Sequence, residues 1–140
     1  MPPSPLLGPV VALVAWTLVM LIWMAVARFP LLRGRDIPDG SRGADLERVA
    51  PGKAHWPAHN YLHLMEQPTI FYAIVFALIL MHFDAAINVY LAWGYVGFRV
   101  LHSLLQATVN VVRYRLLLFA GASFCLLGLT VHAGMRLIHG

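Results

Sequence analysis

The chain has 140 residues, 60% of them hydrophobic and 11% charged, where a soluble domain of this size carries about a quarter charged residues. Composition therefore excludes an ordinary soluble globular protein and points to one integral membrane domain spanning residues 1–140. The net charge of +4 sits in two blocks without interleaved aromatics, which excludes a nucleic-acid surface and suits membrane topology.

The first apolar run, about residues 6–27, has no positive segment before it and no small-residue cleavage site after it. It is expected to be a retained helix, not a signal peptide. Residues 28–56 are rich in Pro, Gly, Arg and Asp and are expected to form a loop, with a helical turn around Ala44 to Val49. Pro57 suits a first helical position, so the second helix is expected over about 57–82, with a local break at Pro68, which has no backbone donor. The tripeptide His82-Phe83-Asp84 is expected to form a short turn into a third helix over about 85–112, antiparallel to the second. Arg113-Tyr114-Arg115 marks a membrane surface, and the fourth helix covers about 116–137. Each run is long enough, at about 1.5 Å per residue, to cross a hydrocarbon core of roughly 30 Å. The expected fold class is an all-α membrane protein, a four-transmembrane-helix up-down bundle.

Basic residues assign the sides. Arg28, Arg33, Arg35, Arg42, Arg48 and Lys53 lie in the first loop, and Arg113 and Arg115 in the third connection. The positive-inside rule places both connections in the cytoplasm and both termini outside. The loop arginines suit anionic lipid headgroups. Cys125 is the one cysteine and lies in an apolar run, so there is no intrachain disulfide framework.

The apolar helices are not uniformly apolar. On a wheel of about 100° per residue, His59, His63 and Glu66 share an arc of roughly 60°, with Asn60 beside it. In the third helix Arg99, His102, Gln106, Asn110 and Arg113 share an arc of about 80°, bordered by Ser103. A charge facing lipid costs at least about 2.5 kcal/mol. The two stripes are therefore expected to face each other, a neighbouring subunit or a wet cavity, and both fall in the cytoplasmic half. Structural glue between helices, including a buried Glu66–Arg99 ion pair, is the plainer reading of the same residues. A metal held by His59, His63 and Glu66 is a third. Gly121, Cys125 and Gly128 share one face of the fourth helix and suit close packing.

The segments "LHLMEQPTIFYAIVFALIL" and "FRVLHSLLQATVNVVRYR" together resemble the membrane-associated proteins in eicosanoid and glutathione metabolism, the MAPEG family, in its bacterial branch. The resemblance is carried by Glu-x-Pro-x-x-Phe-Tyr in the second helix and Arg-x-x-His-Ser in the third. It implies a homotrimer in the bacterial inner membrane that binds glutathione between subunits near the cytoplasmic side. It implies further that an arginine activates the glutathione sulfur toward a lipophilic electrophile or a lipid peroxide. Carried over residue by residue, Glu66, Arg99 and His102 match the family's pattern. His59 and His63 stand where that pattern has Arg and Asn, and Gln106 where a Tyr is common. Arg113 or Arg115 falls at the thiol-activating position. The expected site is thus Arg113 and Arg115 as catalytic groups, with Asn60, His63, Glu66, Arg99, His102 and Gln106 binding glutathione and no metal. The expected function is a glutathione-dependent membrane transferase or peroxidase. The alternative is a non-catalytic member whose polar seam is structural or binds lipid.

Overall fold

The computed structural model describes residues 2–140. Among them the chain is all-helical, without strands. The elements in order are α1 (Leu7–Leu32), α2 (Leu46–Val49), a 3₁₀ turn (Lys53–His55), α3 (Trp56–Leu64), α4 (Gln67–Leu80), α5 (Ala86–Thr108) and α6 (Val112–His139). Three stretches are long and apolar enough to cross a membrane: Leu7–Leu32, Lys53–Leu80 taken through its break, and Val112–His139. At 23 residues α5 has the length to cross too, about 1.5 Å per residue, but its polar face lowers its apolarity.

Helix boundaries depart from the sequence pattern at three places. α1 runs on to Leu32, past Arg28-Phe29-Pro30. Pro30 falls in the last turn, where a missing donor removes one bond and the chain still closes through Arg33 N–H to the Phe29 carbonyl at 3.1 Å. The second apolar segment is two helices, because Met65 and Glu66 interrupt it and Pro68 opens α4. α5 stops at Thr108, since Asn110 takes a left-handed φ of 52° and turns the chain directly into α6. Arg113 and Arg115 consequently lie in the first turn of α6, not in a connection.

α5 and α6 make the most extensive helix contact, and α1 packs on α3. Leu13 and Met20 of α1, Phe71, Val75 and Leu78 of α4, Tyr95 of α5 and Leu129 of α6 are fully buried. Phe71 and Tyr95 stack, with ring centroids 4.2 Å apart and planes 8° from parallel. The small residues of α6 do what their shared face implies. A side chain at Gly121 would meet the Phe98 ring at 2.8 Å, and Cys125 lies against Gly94.

Polar bonds fasten the first loop to the bundle. Arg28 donates Nε–H to His55 Nδ1 at 3.1 Å, so the proton of buried His55 sits on Nε2 and is donated to the Ala50 carbonyl at 2.6 Å. Arg35 reaches the Val49 carbonyl at 2.7 Å, and Glu47 of α2 contacts His59 of α3.

Candidate functional site

The break between α3 and α4 organises the site. Proline at position 68 cannot donate to the Leu64 carbonyl, and Glu66 has φ −93° and ψ −94°. The Arg99 guanidinium of α5 reaches the break one residue earlier, donating Nη2–H to the His63 carbonyl at 3.2 Å. Arg99 has no exposed surface, and its Nε and Nη1 have no partner among the described residues. Four more buried side chains share this state. His102 Nδ1, Ser103 Oγ and Gln106 Oε1, all on α5, have no partner, nor has either amide atom of fully buried Asn60 on α3. An unsatisfied buried polar atom costs about 1–3 kcal/mol, so a cluster of them marks a place that something else completes.

A cavity of about 230 Å³ opens beside this seam, lined by His63, His102, Val112, Arg115, Leu116 and Phe119. The rings of His63 and His102 meet edge to face with centroids 5.2 Å apart, and the Arg99 guanidinium lies 6.0 Å from the Phe119 ring. Half-buried Arg115 donates Nη1–H to Asn110 Oδ1 at 2.6 Å, and its Nε has no partner. The arrangement is one cationic side chain on a mouth that is otherwise imidazole and apolar, with a second guanidinium close behind it. Such a site can take an anion at its polar end and an apolar group at its rim.

The sequence-derived residues separate in position. Asn60, His63, Arg99, His102 and Gln106 belong to the seam or the cavity wall, as does Arg115. Arg113 is exposed and does not line the cavity. The Glu66 side chain is 73% exposed, with Oε2 3.9 Å from His63 Nδ1. It forms no ion pair with Arg99, because the break turns its side chain outward. His59 is engaged by Glu47, so His59, His63 and Glu66 do not converge, and among the described residues no group of three His, Cys, Asp or Glu is placed to hold a metal.

Several contributors escape a helical-wheel reading. Val112, Leu116 and Phe119 build the cavity wall from α6, and their spacing with Arg115 is the one available signal. Gln67 links three helices: Tyr95 donates to its Oε1 at 3.2 Å, and its Nε2 donates to Ser123 Oγ at 2.9 Å. Ser123 in turn donates to the Phe119 carbonyl at 2.9 Å. A wider depression of about 290 Å³ lies at the far end of α4, lined by Pro2, Ser4, Ile79, His82 and Asp84. Its ionisable groups are exposed and no unpartnered buried atoms point into it, so chemistry favours the smaller cavity.

Comparison with curated proteins and with solved structures gave no match. The model of the MAPEG family matches residues 6–135, nearly the whole chain and all of the site just described. The chain belongs to the MAPEG family.

Proposed function

We propose that the protein is a glutathione-dependent membrane enzyme of the transferase or peroxidase type, acting on lipophilic electrophiles that reach it through the bilayer. The family includes glutathione-dependent transferases and peroxidases as well as non-catalytic members. The observation that carries the reading is the cavity where Arg115 presents a half-buried guanidinium beside a seam of unpartnered buried donors and acceptors.

The residues present suit the ligand. Glutathione has two carboxylates, an ammonium and a thiol. Arg99 has unfilled donors for a carboxylate, and guanidinium pairs with carboxylates bidentately. Glu66 supplies a carboxylate at the helix break for the ammonium. Asn60, His102 and Gln106 offer hydrogen bonds, and His63 lines the mouth. When bound, glutathione supplies a thiol whose thiolate form is the nucleophile. Arg115 holds negative charge at the sulfur, because a nearby cation favours the ionised form. Leu116 and Phe119 receive the apolar part of the second substrate. Arg113, exposed on the same turn, orients the chain in the membrane instead of activating the thiol.

In this reading the enzyme is a homotrimer in the bacterial inner membrane. Both termini lie outside, and the site faces the cytoplasm on the side of the basic loop. Exposed Glu66 is then covered by a neighbouring subunit. The second reading, a non-catalytic seam, is favoured by one observation. His59 stands where the family pattern has an arginine and is held by Glu47.

Two measurements separate them. Millimolar glutathione raises the unfolding temperature of the purified protein, and Arg115→Ala abolishes conjugation of a hydrophobic electrophile while Arg113→Ala retains it. Absence of any glutathione shift, or equal loss in both variants, refutes the proposal.

A further inference from the structure

The connection between α5 and α6 is built around Asn110. Its φ of 52° is left-handed, a region that asparagine enters more readily than other side-chain-bearing residues. Two bonds fix the turn: Val109 N–H to the Leu105 carbonyl at 3.2 Å and Asn110 N–H to the same carbonyl at 2.7 Å. A fixed backbone fixes the start of the side chain, and Asn110 Oδ1 accepts Nη1–H of Arg115 at 2.6 Å.

Two features set this contact apart from ordinary tethering of an arginine. The acceptor is a neutral amide, and Arg115 forms no ion pair among the described residues, where the carboxylates that pair do so with His59 and His63. The arginine also sits in the first turn of α6, which has no acidic residue. The positive end of the helix dipole disfavours a cation there. A cation in a disfavoured place, held without being neutralised and with Nε buried and unfilled on a cavity, breaks a local rule in the way functional sites do.

We infer that Asn110 is a positioning residue, holding the Arg115 guanidinium toward the cavity through a neutral acceptor so that its full positive charge faces an anionic group there. The identity of that group as the sulfur of glutathione rests on the function proposed above; the orientation of the cation does not. A carboxylate at position 110 would hold the guanidinium equally well but would cancel its field. A glycine would keep the backbone turn and release the guanidinium.

The test uses the full-length protein in bilayers with ¹⁵N-labelled arginine, the Arg115 signals being assigned by their absence in Arg115→Lys. Wild type shows separate, slowly exchanging Nη resonances for Arg115, Asn110→Gly averages them, and Asn110→Asp keeps them separate. Unchanged Arg115 resonances in Asn110→Gly overturn the inference. If that variant fails to fold, Asn110→Asp decides through a second readout, the ultraviolet absorbance of the thiolate in glutathione-loaded protein as a function of pH. Its midpoint rises by about one pH unit in Asn110→Asp, roughly tenfold less thiolate at a given pH below it. An unmoved midpoint overturns the inference. Should wild type show no thiolate titration displaced below that of free glutathione, the glutathione reading falls and the arginine resonances still decide the role of Asn110.

Discussion

Replacing Arg99 with methionine separates a ligand site from a structural seam. The substitution removes one charge-assisted bond, to the His63 carbonyl at 3.2 Å, a contact of about 1.5–3 kcal/mol. That carbonyl is not orphaned by the change, because it also accepts Glu66 N–H at 3.3 Å. Against the loss, the substitution removes two buried donors without partners, Nε and Nη1, each costing about 1–3 kcal/mol and more on a charged group. Replacing buried ionic groups with apolar ones of similar volume is often stabilising by about 1–4 kcal/mol. The balance favours Arg99→Met by roughly 1–3 kcal/mol in the ligand-free protein, a rise of several degrees in unfolding temperature. The assay is thermal unfolding in detergent with and without millimolar glutathione. Wild type gains stability from the ligand; Arg99→Met starts higher and gains nothing. A variant that unfolds earlier than wild type and falls into monomers makes the seam structural, and one that keeps the glutathione shift removes Arg99 from the site. Either result refutes the reasoning.

Other substitutions probe the scaffold. Gly121→Ala drives a methyl to 2.8 Å from the Phe98 ring, and overpacking of this kind costs about 1–3 kcal/mol, less up to about 1 kcal/mol of helix propensity. Its unfolding temperature falls, and falls further than that of Gly128→Ala, whose methyl meets a flexible Leu91 methyl at 3.0 Å; the reverse order contradicts the packing. Gln67→Leu cuts the chain from Tyr95 to Ser123, weakening glutathione binding through the Phe119 wall, measured as a smaller thermal shift in a variant that still unfolds cooperatively. The hydrogen bond from His59 is the chief cause holding the Glu47 carboxyl below the usual carboxylate range, aided by the nearby positive charges and opposed by slight burial. A lowered carboxylate value contributes stability at pH above its unfolded value, and that contribution is lost as pH falls through the folded one. Protection of residues 33–50 against hydrogen exchange, taken relative to the intrinsic exchange rate at each pH, therefore falls as the Glu47 carboxylate is protonated in acid, and Glu47→Gln shows the low protection already at neutral pH. PH-independent protection in wild type contradicts the clasp.

Periodicity exposed much of the interior. The α5 stripe of Arg99, His102, Ser103 and Gln106 is buried as its arc requires, since each side chain points where the helix geometry sends it. The second apolar segment was less readable. A wheel drawn through residues 57–82 assumes an unbroken helix, and the break at Met65 and Glu66 swings Glu66 out of the arc it shares with His63 on paper. The same limit applies to Arg113 and Arg115. Two residues apart in sequence, they looked interchangeable until the left-handed turn at Asn110 started α6 early and put them about 200° apart on it, one in the cavity wall and one exposed. The Glu47–His59 clasp joins residues twelve apart across an irregular loop, and no period reports such a contact. The family resemblance rested on two segments within about residues 58–135, and the family model matches the longer stretch of residues 6–135.

The most direct measurement is equilibrium binding of radiolabelled glutathione to the purified protein in detergent, for wild type and Arg99→Met. Saturable binding at millimolar or lower concentration in wild type, lost in Arg99→Met, is the expected result. No saturable binding to wild type, or equal binding to both proteins, contradicts a glutathione site built on the seam and cavity.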